Sequence, residues 1–280
     1  LGMKTIQFQG HAIGHVGKIA SIAKTRLATS VFVVILGFGS SFSVATAAES
    51  DAKELLKAMS DYMMAQNNVS FKYDTSLDIV TTDKQKLALT SSGTVKLNRP
   101  NKIRITRNGG FSNAEFIFDG KTMTLFGKNE NVYAQLSEPG TVDHLVDVLR
   151  DKHGVPMPGA DLLMSNIYTE LMASVTNTKD LGSGVIGGVE CDHLAFRTKE
   201  VDWEIWIAQG AKPYPCRYVI TSNKVSQAPQ YSVTIMDWKN GDKADARDFT
   251  FNNKTNAKKV ELSKLPNLDE LPKQLSGAKK

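Results

Sequence analysis

The chain has 280 residues, 41% apolar and 22% charged, which suits a globular protein with a sizeable core. Its net charge of +5 is concentrated in a leader: residues 1–47 carry Lys4, Lys18, Lys24 and Arg26 and no acid, and the remainder holds 30 basic against 29 acidic residues. A body so close to neutral excludes the one-sided basic surface that nucleic-acid binding requires.

Within the leader, a basic segment precedes the apolar run "VFVVILGF" and an Ala45-x-Ala47 pattern, the arrangement of a secretory signal peptide over residues 1–47. The run is too short to span a bilayer. No cysteine follows Ala47, so no bacterial lipid anchor is expected, and the mature chain should be a soluble periplasmic monomer without stable membrane insertion. A single domain over 48–262 and a leucine- and lysine-containing tail over 263–280 complete the expected organisation.

The first element is a helix over 50–66, "SDAKELLKAMSDYMMAQ", opened by Ser50 or Asp51 and apolar at 55, 56, 59, 62 and 63. The period then changes to two. In "VSFKYDTSLDIV" Val69, Phe71, Tyr73, Leu77 and Ile79 alternate with polar residues, which marks a strand buried on one face. "GTVKLNRP" and "NKIRITR" continue the alternation, and "NAEFIFDGKTMTLFGKNENVYAQL" reads as three more strands with a hairpin turn at Asp119-Gly120. Six strands in succession with short turns predict an antiparallel meander.

Residues 141–173 read as helical: "TVDHLVDVLRDKHG", a rigid break at "VPMPGA", and a second helix in "DLLMSNIYTELMASV". Strands return in "VECDHLAFRT", "VDWEIWIA", "PCRYVITS", "QYSVTIMDW" and "DFTFNN". In the tail, Leu262, Leu265, Leu268, Leu271 and Leu275 are interrupted by Pro266 and Pro272, which excludes a long helix. It reads as a segment docked on the body or as a flexible partner-binding tail.

About eleven strands with one apolar face each outnumber what so few helices can cover, and a sheet of that size curls or closes. The fold class that follows is mainly β with a helical lid (α+β), a curled antiparallel sheet. An uncovered apolar face would far exceed what soluble proteins expose, so the sheet must close on its own core or hold a hydrophobic ligand.

Sites for chemistry are few. Gly182, Gly184 and Gly187 match a dinucleotide-binding pattern only as a string, because strand-like "VECDHLAF" follows where a helix is required; they read as a glycine hairpin or loop. After the leader the histidines are His144, His153 and His193, with no metal-ligand spacing among them, so neither metal nor cofactor is expected. Cys191 and Cys216 are the only thiols; an oxidising compartment favours a disulfide between them, with two inert thiols or a reactive one as alternatives. A hairpin in "CDHLAFRTKEVDWEIWI" would set Phe196 against Trp203, Leu194 against Ile205 and Asp192 against Ile207. Its other face would bring His193 opposite Trp206 with Glu204 diagonal. Cys191 and His193 are two strand steps apart, roughly 6.5 to 7 Å, too far for a thiol–imidazole pair, so no enzyme is expected.

The "LNRPNKIRI" and "FDGKTMTLFGKNENVYAQL" segments, the exported meander and its helical insertion together resemble the LolA/LolB-like superfamily of periplasmic lipoprotein carriers. More specifically, "MPGADLL", "CDHLAFRTKEVDWEIWI" and "APQYSVTIMDW" are similar to an uncharacterised family of predicted periplasmic proteins, domain of unknown function 2092, over residues 50–262. The resemblance implies an incomplete, LolA-like β-barrel whose concave side binds acyl chains beneath a helical lid. Its floor is then expected from Phe71, Tyr73, Leu77, Ile103, Ile105, Phe116, Phe118, Leu194, Phe196, Trp203 and Ile205, and its lid from Met157, Leu162, Leu163 and Met164. Arg104 and Arg107 are candidates for the arginine that latches lid to barrel in the carriers. The expected role is a soluble carrier for a lipid or lipoprotein, with an envelope sensor or adaptor that binds a protein partner as the alternative.

Overall fold

The structure, a computed structural model, describes residues 44–81, 83–155, 157–241 and 246–265. Most of the leader, up to residue 43, and the tail from residue 266 lie outside the described residues. Helix α1 (Val44–Met64) leads into β1 (Asn68–Val80), β2 (Lys86–Asn98), β3 (Lys102–Gly109), β4 (Asn113–Phe118), β5 (Thr122–Gly127) and β6 (Val132–Ser137). The insertion follows as α2 (Val142–Asp151), a 3₁₀ turn at Ala160–Leu163 and α3 (Ile167–Met172). A second meander comprises β7 (Asn177–Ile186), β8 (Val189–Arg197), β9 (Val201–Ala208), β10 (Pro215–Ser222) and β11 (Gln230–Asn240), and β12 (Lys258–Lys259) comes last.

All twelve strands form one sheet in the order β12-β6-β5-β4-β3-β2-β1-β11-β10-β9-β8-β7. Each meander keeps its neighbours in sequence order, and the long first strand of one pairs with the last strand of the other, β1 with β11. Every pairing is antiparallel except the short β12 beside β6. The sheet does not close into a barrel: β12 and β7 are its two edges. This is the expected mostly-β class built on one antiparallel sheet, with twelve strands in place of about eleven.

The turns explain the register. At Asp119-Gly120 the Asp119 carboxylate accepts from the backbone N–H of Lys121 and Thr122 at 2.9 and 2.8 Å, and Gly120 takes φ +95°. A Cβ there would also stand 2.6 Å from Asn101 Nδ2, so both conformation and space ask for glycine.

The glycine-containing segment is the expected hairpin: β7 pairs with β8 through Gly184–Cys191 and Ile186–Val189, and the turn is Gly187-Gly188. β7 lacks an apolar alternation because it is an edge strand. Two local expectations are corrected. The segment "DFTFNN" makes no strand; it begins in a 3₁₀ turn at Ala246–Phe249, and strand pairing resumes only at Lys258. The second insertion helix is split at Ser165-Asn166, where Ser165 donates its backbone N–H to Asp143 at 3.1 Å and Asn166 leaves helical geometry at ψ 37°.

The core lies on one side of the sheet. Ala52, Leu56, Met59 and Met63 of α1, Val142, Leu145, Val146 and Leu149 of α2, and Ile167 and Leu171 of α3 form one buried apolar cluster with the inward side chains of the strands. Outside β3–β6, residues 246–265 cover the opposite face. Phe249 and Ile117 are buried there, and Phe251 packs 5.7 Å from Phe126 and 4.9 Å from Tyr133. Of the tail over 263–280 only residues 263–265 are described, and Leu265 among them is buried.

Candidate ligand-binding face

Cross-strand register sorts the inner face into rows. The lowest row on the first meander is Val69, Leu97, Ile103, Phe118, Met123 and Leu136; the next is Phe71, Val95, Ile105, Phe116, Leu125 and Ala134. Above them, Tyr73, Gly93, Arg107 and Ala114 align, followed by Thr75, Ser91 and Gly109. On the second meander Leu194, Ile205, Tyr218 and Val233 form one row, and Phe196, Trp203, Ile220 and Tyr231 another.

Burial changes between the first two rows on β3, β4 and β5, whereas Phe71, Val95 and Ala134 of the second row stay buried. Leu97, Ile103, Phe118 and Met123 are 0–2% exposed, sealed beneath the helices. One row higher, Ile105, Phe116 and Leu125 pack against the same cluster but are only half-buried. Three apolar side chains on adjacent strands therefore form a continuous, incompletely covered strip beneath the insertion.

All the residues expected to line a ligand site, except Leu77, belong to this one apolar cluster. Leu77 sits further along the β1–β2 hairpin, opposite Leu89 and Tyr231. From the insertion, Leu162 and Met164 are buried in the cluster, whereas Met157 and Leu163 are half-buried against it. The hairpin register is as expected: Phe196 faces Trp203, Leu194 faces Ile205 and Asp192 faces Ile207. Phe196 and Trp203 stack with ring centroids 3.9 Å apart, and Tyr218 meets Trp203 edge-on at 5.8 Å. Burial pushes the Tyr218 phenol well above its ordinary pKa, and the nearby Asp161 carboxylate adds to the shift.

Polar contacts tie the insertion to the sheet at Arg99, to α1, and within itself. Arg99 at the β2–β3 turn donates from Nη2 to the Met164 carbonyl at 3.3 Å, while its Nε is buried without a partner. Desolvation lowers the pKa of this guanidinium, and Asp143 opposes the shift. The Asp143 carboxylate accepts from Ser165, Arg150 pairs with Asp161, and Ser60 of α1 accepts from the Tyr168 N–H at 3.1 Å. The arginine that touches the insertion is therefore Arg99, not the anticipated Arg104. Arg104 lies on the outer face, donating to Glu115 at 2.7 Å and to the Asp248 carbonyl at 2.9 Å. Arg107 is on the inner face, and its Nε donates to Ser91 Oγ at 3.0 Å. Arg99 immediately precedes Pro100, so it reads in the sequence as turn chemistry, with no periodic signal to mark it.

The expected disulfide is not formed. Cys191 and Cys216 are buried free thiols in a small outer-face cluster with Ala208. Cys191 pairs across the ladder with Ala208 of β9, the strand lying between the two cysteines. Burial raises the pKa of both thiols. His193 lies elsewhere in its contacts, stacked 4.0 Å from Trp206 and 2.7 Å from Glu204. Among the described residues no group of three or more His, Cys, Asp or Glu is placed to hold a metal ion.

These features define an α+β protein with an open antiparallel sheet, helices on one face and an incompletely covered apolar strip between them. The chain belongs to the family described as "Predicted periplasmic protein (DUF2092)", whose model matches residues 52–263, and the periplasm is its compartment. No helix among the described residues is long and apolar enough to cross a membrane. No curated protein matches the chain. An uncharacterized conserved protein from Thermus thermophilus is similar in structure at a TM-score of 0.45 and 12% identity, over 75% of this chain and 99% of that one. Lipoprotein LppX of Mycobacterium tuberculosis aligns at a TM-score of 0.42 and 14% identity, over 70% and 100% of the two chains. The LolA superfamily protein NE2245 of Nitrosomonas europaea aligns at 0.31 and 10% identity, over 71% and 97%.

Proposed function

We propose that this protein binds and carries a hydrophobic, acylated ligand through the periplasm, with the chain of the ligand lying along Ile105, Phe116 and Leu125 under the insertion. The observation that supports this reading is the step in burial along β3, β4 and β5, from Ile103, Phe118 and Met123 to Ile105, Phe116 and Leu125. A face whose only task is to close a core has no reason to leave three adjacent apolar side chains half-covered. Burying an acyl chain there stabilises the complex by about 0.8 kcal/mol per CH₂. The insertion meets the sheet mainly through buried apolar side chains, with the Arg99–Met164 hydrogen bond beside them, and a ligand enters where that contact opens. Binding and release by such a lid involve no bond-making step, so the role proposed is not enzymatic.

Solvent extraction of protein purified from its own periplasm, followed by mass spectrometry, is expected to recover an acyl lipid. A Phe116→Glu variant, which sets a charge in the strip, is expected to lose both the lipid and the quenching of tryptophan by acyl probes. Wild-type protein that carries no lipid and responds to no acyl probe would refute the proposal.

A further inference from the structure

Residues 246–265, which cover the outer face, do not end on it. After Phe251 meets Phe126, the chain pairs as β12 along the edge of β6, and the Val260 N–H donates to the Tyr133 carbonyl at 2.8 Å. A 3₁₀ turn at Leu262–Lys264 then carries it over that edge. Leu262 packs against the inner apolar cluster, and Leu265 is buried. Phe126 faces outward, so Gly127 beside it faces inward, and a Cβ on Gly127 would stand 3.8 Å from Leu265 Cδ2. Gly127 is two residues beyond Leu125 on the same face of β5, which brings the chain at Leu265 to within one row of the half-covered strip.

Beyond Leu265 the large apolar side chains of residues 266–280 are Leu268, Leu271 and Leu275. Leu262, Leu265, Leu268 and Leu271 recur at every third residue. That spacing sets them along one edge of a chain with three residues per turn, and Pro266 and Pro272 suit the polyproline form of such a chain. The first two of the series already face the body. Reach is sufficient. Phe116 and Ile105 lie one and two strands from Leu125, at about 4.8 Å per strand, whereas three residues extend up to about 10 Å and six up to about 20 Å. We infer that residues 266–280 are the occupant of the strip in the ligand-free protein, with Leu268 over Phe116 and Leu271 over Ile105, and that an acylated ligand binds by displacing them. The displacement rests on the hydrophobic-ligand reading above; the cover of the strip does not.

The test uses delipidated mature protein, wild type and with Leu268→Ser, Leu271→Ser and Leu275→Ser combined, titrated with dansyl-undecanoic acid and separately with anilinonaphthalene sulfonate. Loss of the leucines is expected to tighten binding of the dansyl acid about tenfold, the worth of roughly one buried leucine once the ordering of the segment is subtracted. It should also brighten the anilinonaphthalene dye. In the wild type, amide exchange across 266–280 should quicken when the dansyl acid binds. If the triple variant does not fold, that exchange decides: amides of 266–280 equally unprotected with and without the acid overturn the cover. Unchanged affinity and dye emission in the variant also overturn it and leave the carrier reading intact. A brighter dye with no binding of the acid by either protein upholds the cover and overturns the ligand reading. Weaker binding by the variant overturns displacement, because the leucines then help to hold the acid. A wild-type dimer that the variant loses places the tail on a second copy and overturns the intramolecular cover.

Discussion

Gly93 offers a decisive test of how the floor of this face is built. It sits in the middle of β2, where glycine is ordinarily a weakness: replacing it with alanine normally stabilises by roughly 0.5–1 kcal/mol through the unfolded chain. Its backbone is ordinary, so conformation does not oppose the change. Space does. A Cβ on Gly93 would stand 1.9 Å from the Thr106 carbonyl oxygen and 2.7 Å from Cζ of Tyr73. The first obstacle is backbone of the neighbouring strand and cannot rotate away; the second is the ring whose hydroxyl donates to that same carbonyl. Overpacking costs about 1–3 kcal/mol and the broken Tyr73–Thr106 bond about 1 kcal/mol, against the entropic gain of less than ~1 kcal/mol. Gly93→Ala should therefore destabilise by about 2 kcal/mol, read from urea unfolding followed by tryptophan fluorescence. Tyr73→Phe, which loses only the hydroxyl, should cost about 1 kcal/mol. A Gly93→Ala protein as stable as wild type would refute the reasoning, because the propensity gain would then have won over the steric term.

Three further outcomes follow from the same geometry. Because burial raises the pKa of Cys191 and Cys216, both should resist alkylation in the native protein near neutral pH and react once urea unfolds it; rapid native labelling, or an intact mass matching the oxidised pair, would count against two buried thiols. Tyr218 ionises near pH 10 in the unfolded chain but later when folded, so the folded state holds its proton longer and stability is full below that pH and lost as pH rises above it. Tyr218→Phe should flatten this alkaline loss in pH-dependent urea titrations, and an unchanged slope would show that the phenol is not buried. Arg99→Met removes the donor to the Met164 carbonyl, so amide exchange should quicken across residues 160–172 while β1–β6 stay protected; uniform quickening would mean global destabilisation instead.

The legible parts of the fold are those where burial has a period. Val69, Phe71 and Tyr73 alternate because one face of β1 packs on the core, and the Phe196–Trp203 and Leu194–Ile205 pairs follow once the hairpin is recognised. β7 is illegible because an edge strand with Gly182 and Gly184 buries little and needs no alternation. The split at Ser165 is hidden because it depends on Asp143, a residue 22 positions away that competes for its N–H and hydroxyl. Arg107 is visible as a break in the "IRITR" alternation, but only the register shows that it shares a face with Ile105 and Ser91. The pairing of the cysteines fails as an expectation because an oxidising compartment does not by itself bring two sulfurs to bonding distance, and the hairpin register sets Cys191 opposite Ala208, on the strand between it and Cys216.

Both halves of the inner face combine sealed and partly covered positions. On the second meander, Leu194, Phe196, Trp203 and Ile205 are 0–3% exposed and Phe196 stacks on Trp203, while Ile220 and Tyr231 in the same row are half-buried. On the first meander, Phe71, Val95 and Ala134 of the second row are buried, whereas Ile105, Phe116 and Leu125 between them are half-buried. The insertion meets this face through buried apolar side chains, among them Leu145, Leu149, Leu162 and Met164, with Arg99 bonded to the Met164 carbonyl. Re-exposing a fully buried large apolar side chain costs about 1.5–3 kcal/mol. Side chains that are already half-exposed lose less, so opening over Ile105, Phe116 and Leu125 costs less than opening over Leu97, Ile103 and Phe118.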